Sequence, residues 1–238
     1  MNGLLIIDKP PGWTSHDAVA YIKKRLGAKK VGHLGTLDPI ATGVLPLVID
    51  GATKFARFLD NGKKEYIAKL KLGEETDTYD SEGKVMASSD CSHINEDEIE
   101  HAFSAFRGRI TQVPPMYSSV KKNGTPLYKL ARKGLIIERE AKEVEVFELE
   151  ITNIEIPYAE FRAVCSKGTY IRAICHDAGR ALGCGGHMAG LKRVRCGGFS
   201  ISEALSPKAD LSALRSGIIP LEEALRRAPA PDEGKAAG

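Results

Sequence analysis

The chain has 238 residues, 42% hydrophobic and 27% charged, with a formal net charge of +3. This composition excludes collagen-like, low-complexity and disulfide-framework proteins, and it suits one large α/β domain or two small ones. The five cysteines form no CxxC pair and no apolar stretch approaches the ~20 residues of a membrane span, so no zinc knuckle and no membrane association are predicted; the expectation is a soluble cytoplasmic protein with reduced thiols.

In chain order, GLLIIDK (3–9) reads as a buried strand and PPGWTSHD (10–17) as a turn. Thr14 or Ser15 is placed to cap a helix over 16–26, where Ala18, Val19, Ile22 and Leu26 recur at helical spacing and Gly27 stops the run. GHLGTLDPIATGVL (32–45) is too polar for a core strand and too rich in Gly and Pro for a helix, so it reads as a loop. A strand (44–49) and a short helix (52–59) follow. KEYIAKLKLG (64–73) alternates as a half-exposed strand does, TDTYDSEG is an acidic turn, and KVMAS is a second short strand. Asn95 is placed to cap a helix over 95–108, with acids in its first turn.

Residues 112–134 begin as a proline-fixed extended segment and end in a helical turn. EVEVFELEITNIEIP (143–157) alternates over its whole length, and 159–183 reads as a strand, a Ser-Lys-Gly turn and a helix ended by Gly183. A strand follows, then helical turns over 207–225 and a Pro/Ala/Gly-rich tail, 226–238, of disordered composition. There is no internal repeat and no regular βαβ rhythm. The predicted fold is therefore α+β, with a mixed, largely antiparallel sheet.

Charge is segregated along the chain. Residues 121–133 carry five basic side chains and no acid, and 187–198 carry Lys192, Arg193 and Arg195 without an acid, whereas 74–82 and 96–100 are acidic. Clustered Lys and Arg suit a polyanion, because they neutralise phosphates and release counterions; solvated surface charge is the plainer alternative.

Among residues able to do chemistry, Asp38 stands out. Pro39 behind it pushes it out of the helical region, and Gly32, Gly35 and Gly43 permit sharp bends or close approach of another backbone. The result is one carboxylate on a tight loop, anchored by Leu34, Leu37 and Leu45. An Asx-turn would use the same residues, and the sequence physics leaves both readings open. There is no GxSxG, HExxH or GxxxxGK[ST], which removes the main support for a serine hydrolase, zinc protease or P-loop enzyme. KGTYIR (167–172) places Tyr170 and Arg172 two apart on an extended segment, where Arg172 is either a surface residue or the partner of an acid. Tyr66 is equally open between a core aromatic and a platform for a base.

DKPPGWTS (8–15), GHLGTLDPIATGVLPL (32–47), KEYIAKLKLGEETDTYDSEG (64–83), QVPPMYSSVKKNGTPLYKLARKG (112–134) and CSKGTYIRAICHDAGRALGCGGHMAGLKR (165–193) stand in this order. Together they closely resemble the TruB-type tRNA pseudouridine-55 synthases, from about residue 2 to 225. The resemblance implies the pseudouridine synthase fold as one catalytic domain over 1–225, and isomerisation of a uridine in the TΨC loop of tRNA by base flipping. Asp38 would be the essential aspartate, acting as a nucleophile on C1′ or as the base that removes a 2′ proton. Tyr66 would stack on the flipped base, Arg172 would pair with Asp38, and Tyr170 and Leu191 would line the pocket. His33 would enter the RNA loop, and Lys9 and Pro10 would support the active-site loop.

The basic segment 112–134 matches an RNA-clamping insertion. Pro114, Pro115 and Gly124 would be its hinges, and Lys121, Lys122, Lys129 and Arg132 would touch phosphate, as would Lys192 and Arg193. No metal or organic cofactor is implied. Only about forty residues follow Arg195, too few for the complete PUA domain that many members carry. Recognition is thus expected through the T-arm, by a monomer with no obligatory protein partner. The rival readings are a guide-dependent ribonucleoprotein relative, which needs a PUA domain, and a silent RNA chaperone, which would not need Asp38.

Overall fold

The computed structural model describes residues 1–229. The apolar run that opens the chain forms β1 (Gly3–Lys9), and Thr14 caps α1 (Ser15–Leu26). The Thr14 hydroxyl accepts from the Asp17 N–H, while the Asp17 carboxylate accepts from the Thr14 N–H and hydroxyl. This reciprocal cap satisfies donors that the first helical turn leaves unpaired. Gly27, at φ 66°, ends the helix in the left-handed region. Then come β2 (Val31–His33), β3 (Thr42–Ile49), a 3₁₀ turn over 50–55, α2 (Ala56–Leu59) and β4 (Lys64–Leu72).

Further along lie β5 (Glu74–Thr76), β6 (Val85–Ser88), α3 (Glu96–Ser104), β7 (Gly108–Gln112), β8 (Lys121–Lys122), β9 (Thr125–Pro126) and α4 (Leu127–Ala131). They are followed by β10 (Lys142–Glu155), β11 (Tyr158–Cys165), α5 (Ile171–Ala181) and β12 (Gly186–Cys196). The described chain closes with β13 (Phe199–Ser200), α6 (Leu211–Ser216), β14 (Ile219–Pro220) and α7 (Leu221–Arg227). The α+β class and the largely antiparallel mixed sheet agree with the sequence pattern.

The stretch expected to be one domain over 1–225 divides into two compact units, Met1–Tyr66 with the described residues from Leu191 onward, and Ile67–Gly190. In the first unit the strand order runs β14-β1-β3-β12, with β2 also on β3 and β13 on β12. β1 and β3 are antiparallel along their whole length, from Gly3 opposite Ile49 to Lys9 opposite Gly43. β12 runs parallel to β3, with Lys192 opposite Thr42 and Arg193 opposite Gly43. Leu4, Ile6, Leu34, Val44, Val48, Leu59 and Phe199 form the core.

In the second unit β10 pairs antiparallel with β11 on one side and β7 on the other. The strict alternation read for 143–157 is interrupted by irregularities between Val146 and Glu148 and between Ile151 and Asn153. That explains two consecutive outward residues: after the buried Val146, Phe147 and Glu148 are both exposed before burial resumes at Leu149. Phe103 of α3 meets Phe161 of β11 edge to face, with ring centroids 4.9 Å apart, at the centre of this unit's core.

Several boundaries moved. The short strand β2 trims the predicted loop 32–45 to residues 34–41, because its outer parts pair with other strands. The helix predicted over 95–108 stops at Ser104, and Gly108 at φ 80° starts β7 instead. The helical stretch predicted over 207–225 is split by Gly217 and β14. Helix α7 runs to Arg227, beyond the predicted start of the tail at 226; positions 230–238 of that tail lie outside the described residues.

Gly43 shows why one position tolerates no side chain. Its φ is 99°, and a Cβ there would sit 2.2 Å from the Arg193 carbonyl oxygen across the parallel β3–β12 contact. Gly43→Ala should therefore destabilise the protein by about 2–4 kcal/mol, through left-handed strain and backbone collision together. Urea unfolding followed by circular dichroism checks this, and an unchanged midpoint would contradict it.

Candidate active site

Asp38 sits half-buried on the 34–41 loop, whose backbone is held mostly from outside. The buried Ser15 hydroxyl donates to the Leu37 carbonyl at 3.0 Å and accepts from the Leu37 N–H at 2.9 Å. It thus acts as a strand partner for the residue before Asp38. The Pro39 carbonyl, just after Asp38, accepts from the Gly12 N–H at 2.9 Å and from Lys9 Nζ at 3.3 Å. Lys9 is completely buried and also donates to the Pro10 and Trp13 carbonyls, at 3.0 and 2.6 Å. An ammonium has three protons, and each faces a carbonyl. Lys9 thus joins the turn at Pro10 and Trp13 to the Pro39 carbonyl of the loop, whereas Pro10 meets only Lys9 in these hydrogen bonds. The Ala41 N–H closes a turn onto the Asp38 carbonyl.

The same unit holds His33, Tyr66, Leu191, Lys192 and Arg193. His33 packs edge to face on His16, with centroids 5.7 Å apart, and its Nδ1 is buried without a hydrogen-bond partner among the described residues. Burial first, and then the His16 and Arg193 charges, lower its pKa to about 4. His33 is therefore a neutral ring near pH 7, suited to filling space and to hydrogen bonding rather than to donating a proton. Tyr66 is only 7% exposed. The Leu191 carbonyl faces the Thr42 hydroxyl at 3.4 Å. A cavity of about 420 Å³ is lined by Asp8, Lys9, Pro10, Thr42, Lys192 and Lys208, and Lys192 is exposed at its edge. Arg193 corrects the sequence reading: it is completely buried and bonded to carbonyls, so it is not available as a phosphate contact.

In the second unit Tyr170 is the residue before α5, its backbone held by Gln112 through two hydrogen bonds of 3.0 and 3.2 Å. Arg172 lies in the first turn of that helix, so the extended face expected for Tyr170 and Arg172 is not formed. Arg172 is buried against Asp80 at 3.3 Å, and it donates to the Thr78 and Tyr117 carbonyls at 2.9 and 2.8 Å. Sequence reasoning missed Asp80, which it counted only as part of an acidic turn. The available signal was a Thr-x-Asp spacing able to close an Asx-type turn, which Thr78 and Glu82 complete around the carboxylate. Ser15 was likewise read only as a possible cap.

Lys121 and Lys122 on β8, Lys129 on α4 and Arg132 just after that helix are all exposed. Asn123 and Gly124, at φ 51° and 78°, form the two-residue turn of the β8–β9 hairpin. Gly124, expected as a hinge, thus has a turn to make, and the Asn-Gly pair was its signal. Among the described residues no group of His, Cys, Asp and Glu is placed to hold a metal ion.

Two outcomes follow from this geometry. Ser15→Ala leaves both polar groups of Leu37 without their partner and should cost about 1–3 kcal/mol, measured by chemical denaturation. His33 has a folded pKa below its unfolded value, so its contribution is present above pH 6.5 and is lost as pH falls toward 4. Between pH 7.5 and 5 the protein should lose up to about 2 kcal/mol through this group. His33→Gln should abolish that part of the pH dependence; an identical pH profile in the variant would show that His33 does not carry it.

Comparison with known proteins adds an independent line. Residues 23–171 match the TruB family pseudouridylate synthase N-terminal domain, and 172–226 match the tRNA pseudouridylate synthase B C-terminal domain. The tRNA pseudouridine synthase B of Clostridium tetani is 48% identical over 229 residues, covering 95% of this chain and 79% of the relative. That of Syntrophotalea carbinolica is 46% identical, covering 96% and 76%. Among solved structures, the Cbf5 complex with Nop10 and Gar1 superimposes with a TM-score of 0.74 at 32% identity. It covers 94% of this chain, which spans only 62% of that longer one. The pinned aspartate loop and these matches over nearly the whole sequence lead to one conclusion: the chain belongs to the TruB family of tRNA pseudouridine synthases.

Proposed function

We propose that this chain isomerises uridine to pseudouridine at position 55 in the T-arm of tRNA, with Asp38 acting at the ribose of a nucleotide flipped out of the stack. The observation that carries the reading is the fixed loop. A single carboxylate stands on a backbone whose flanking carbonyls are held by Lys9, Gly12 and Ser15. A reacting group needs this preorganisation, and a turn residue does not.

The reaction breaks the C1′–N1 bond, rotates the uracil and forms a C1′–C5 bond. The C5 proton leaves and N1 gains one, so no electrons are transferred and no redox cofactor is required. Asp38 initiates it either by attacking C1′ or by removing the 2′ proton. The scissile bond is inaccessible inside a stacked helix, which is why the base must be extruded first.

The family resemblance assigns Arg172 to the Asp38 carboxylate, which a neighbouring guanidinium keeps ionised. It assigns Tyr66 to stacking on the extruded base and Tyr170 and Leu191 to its surroundings. His33 occupies the space the base vacates, a task for which a neutral ring is enough. The exposed Lys121, Lys122, Lys129, Arg132 and Lys192 contact phosphates, which position the RNA without reading its sequence. The enzyme works in the cytoplasm as a monomer without a protein partner.

Tritium release from 5-³H-uridine-labelled tRNA tests the reading. The wild-type chain should release tritium from tRNA and from an isolated T-arm hairpin. Asp38→Asn should lower release by at least about 10³-fold while filter binding stays within a few-fold, because the loss of one negative charge does not weaken phosphate contacts. Equal release by both proteins would refute the role of Asp38, and no release by the wild type would refute the function.

A further inference from the structure

We propose that Arg193 is a positioning residue, which ties the two ends of the Asp38 loop to the Tyr66 strand and so sets the turnover rate without touching RNA. The inference rests on the proposed isomerase reading and adds to it a residue whose place in the sequence suggests a different task. Lys192, Arg193 and Arg195 stand close together on β12 and look like one basic patch. Lys192 and Arg195 are exposed, whereas Arg193 has no exposed surface.

The guanidinium spans the base of the loop. Its Nε donates to the Val44 carbonyl at 2.8 Å, just past the loop's exit, and its Nη2 donates to the Gly35 carbonyl at 3.0 Å, at the loop's entrance. The backbone of the same residue lies opposite Gly43 in the parallel β3–β12 register. One residue thus holds both ends of the segment that carries Asp38. Its Nη1 has no hydrogen-bond partner among the described residues and points toward Gly35, 3.2 Å from where a Cβ would stand. Lys64 closes in from β4: it is 8% exposed, lies 3.3 Å from Asp60, and its Nζ would stand 2.6 Å from that same Cβ. Gly35 is at φ 66° and has no side chain to meet either cation.

Tyr66, two residues after Lys64 and therefore on the same strand face, interacts with Arg193 through its hydroxyl. The guanidinium, Lys64 and Tyr66 together form a layer under the loop. A buried arginine is a costly way to fill space, since its charge is desolvated and leaving one of its donors unmet adds to the cost. A planar fork earns its place where two backbone carbonyls must be held at a fixed separation. Here those carbonyls belong to the two ends of a loop whose carboxylate must meet C1′ or the 2′ proton within a fraction of an ångström.

Single-turnover tritium release at saturating tRNA, together with tRNA affinity over a series of salt concentrations, distinguishes positioning from RNA contact. Arg193→Lys keeps a positive charge but reaches only one carbonyl. Its rate should fall roughly 10–100-fold, while affinity and the slope of log Kd against log salt stay as in the wild type. A phosphate contact behaves oppositely: Arg193→Gln, which removes the charge, would then weaken binding and reduce the slope by about one with an unchanged saturating rate. That outcome, or no change in any quantity, would overturn the proposal. Gly35→Ala approaches the tie from the loop side and should give the same rate defect if the lysine variant does not fold. Loss of folding in both would show the tie to be purely structural and would also overturn it. Absence of release by the wild-type chain is a failure of the isomerase reading and is recognised in the same assay.

Discussion

The first unit is organised around unpaired backbone. A loop that must present one side chain cannot satisfy its own carbonyls through helix or sheet, yet polar backbone groups left without partners inside a protein are costly. Residues 34–41 resolve this by borrowing donors. Lys9 supplies an ammonium from the end of β1, Ser15 a hydroxyl from the first residue of α1, and Arg193 a guanidinium from β12. All three are buried and come from elements that pack into the same core. The rigidity of the loop is therefore inherited from the sheet and helix beneath it. The loop can be rich in glycine without being loose.

Electrostatics follow from the same arrangement. Two buried cations, Arg193 and Lys64, lie below the loop with Asp60 as a nearby carboxylate. A histidine in that field is held neutral, first by its own burial and then by the neighbouring positive charges. In the second unit the logic is repeated with the signs closed. Arg172 is buried against Asp80 and two carbonyls, and the turn that supplies Thr78 and Asp80 passes through Tyr79 at φ 65°. A tyrosine in the left-handed region is strained, and here its ring stacks on His176 at 3.7 Å and 10°. The stack holds the turn in the shape that brings both acceptors to the guanidinium.

How far the sequence revealed this depended on the kind of signal. Elements whose apolar period is uninterrupted, such as β1, α1 and β4, were legible, and so was the Asp38 loop, because proline and glycine act locally. The short strand β2 was not, since three residues carry no period. The phase shift in β10, which leaves Phe147 and Glu148 both exposed, was not legible either, because a bulge leaves no mark in composition. Asp80 and Ser15 were invisible as site residues because their partners stand 92 and 22 positions away. Local pattern identifies which residue is special, whereas the groups that make it so are brought together only by the fold.

Arg193 shows the limit of charge counting. As one of a run of basic residues it adds to the apparent polyanion surface, but its charge is spent on Val44 and Gly35. Lys192 beside it is exposed, as are Lys121, Lys122, Lys129 and Arg132 of the second unit. Adjacent residues of one strand point to opposite faces, so a basic dipeptide on a strand cannot commit both charges to one ligand. In Lys192-Arg193 the lysine faces solvent at the edge of a cavity and the arginine faces the loop. On the proposed reading, the same pair of charges divides two tasks that an RNA-modifying enzyme must keep apart. Attraction of the polyanion has to tolerate many phosphate positions, whereas placement of the reacting carboxylate has to tolerate one.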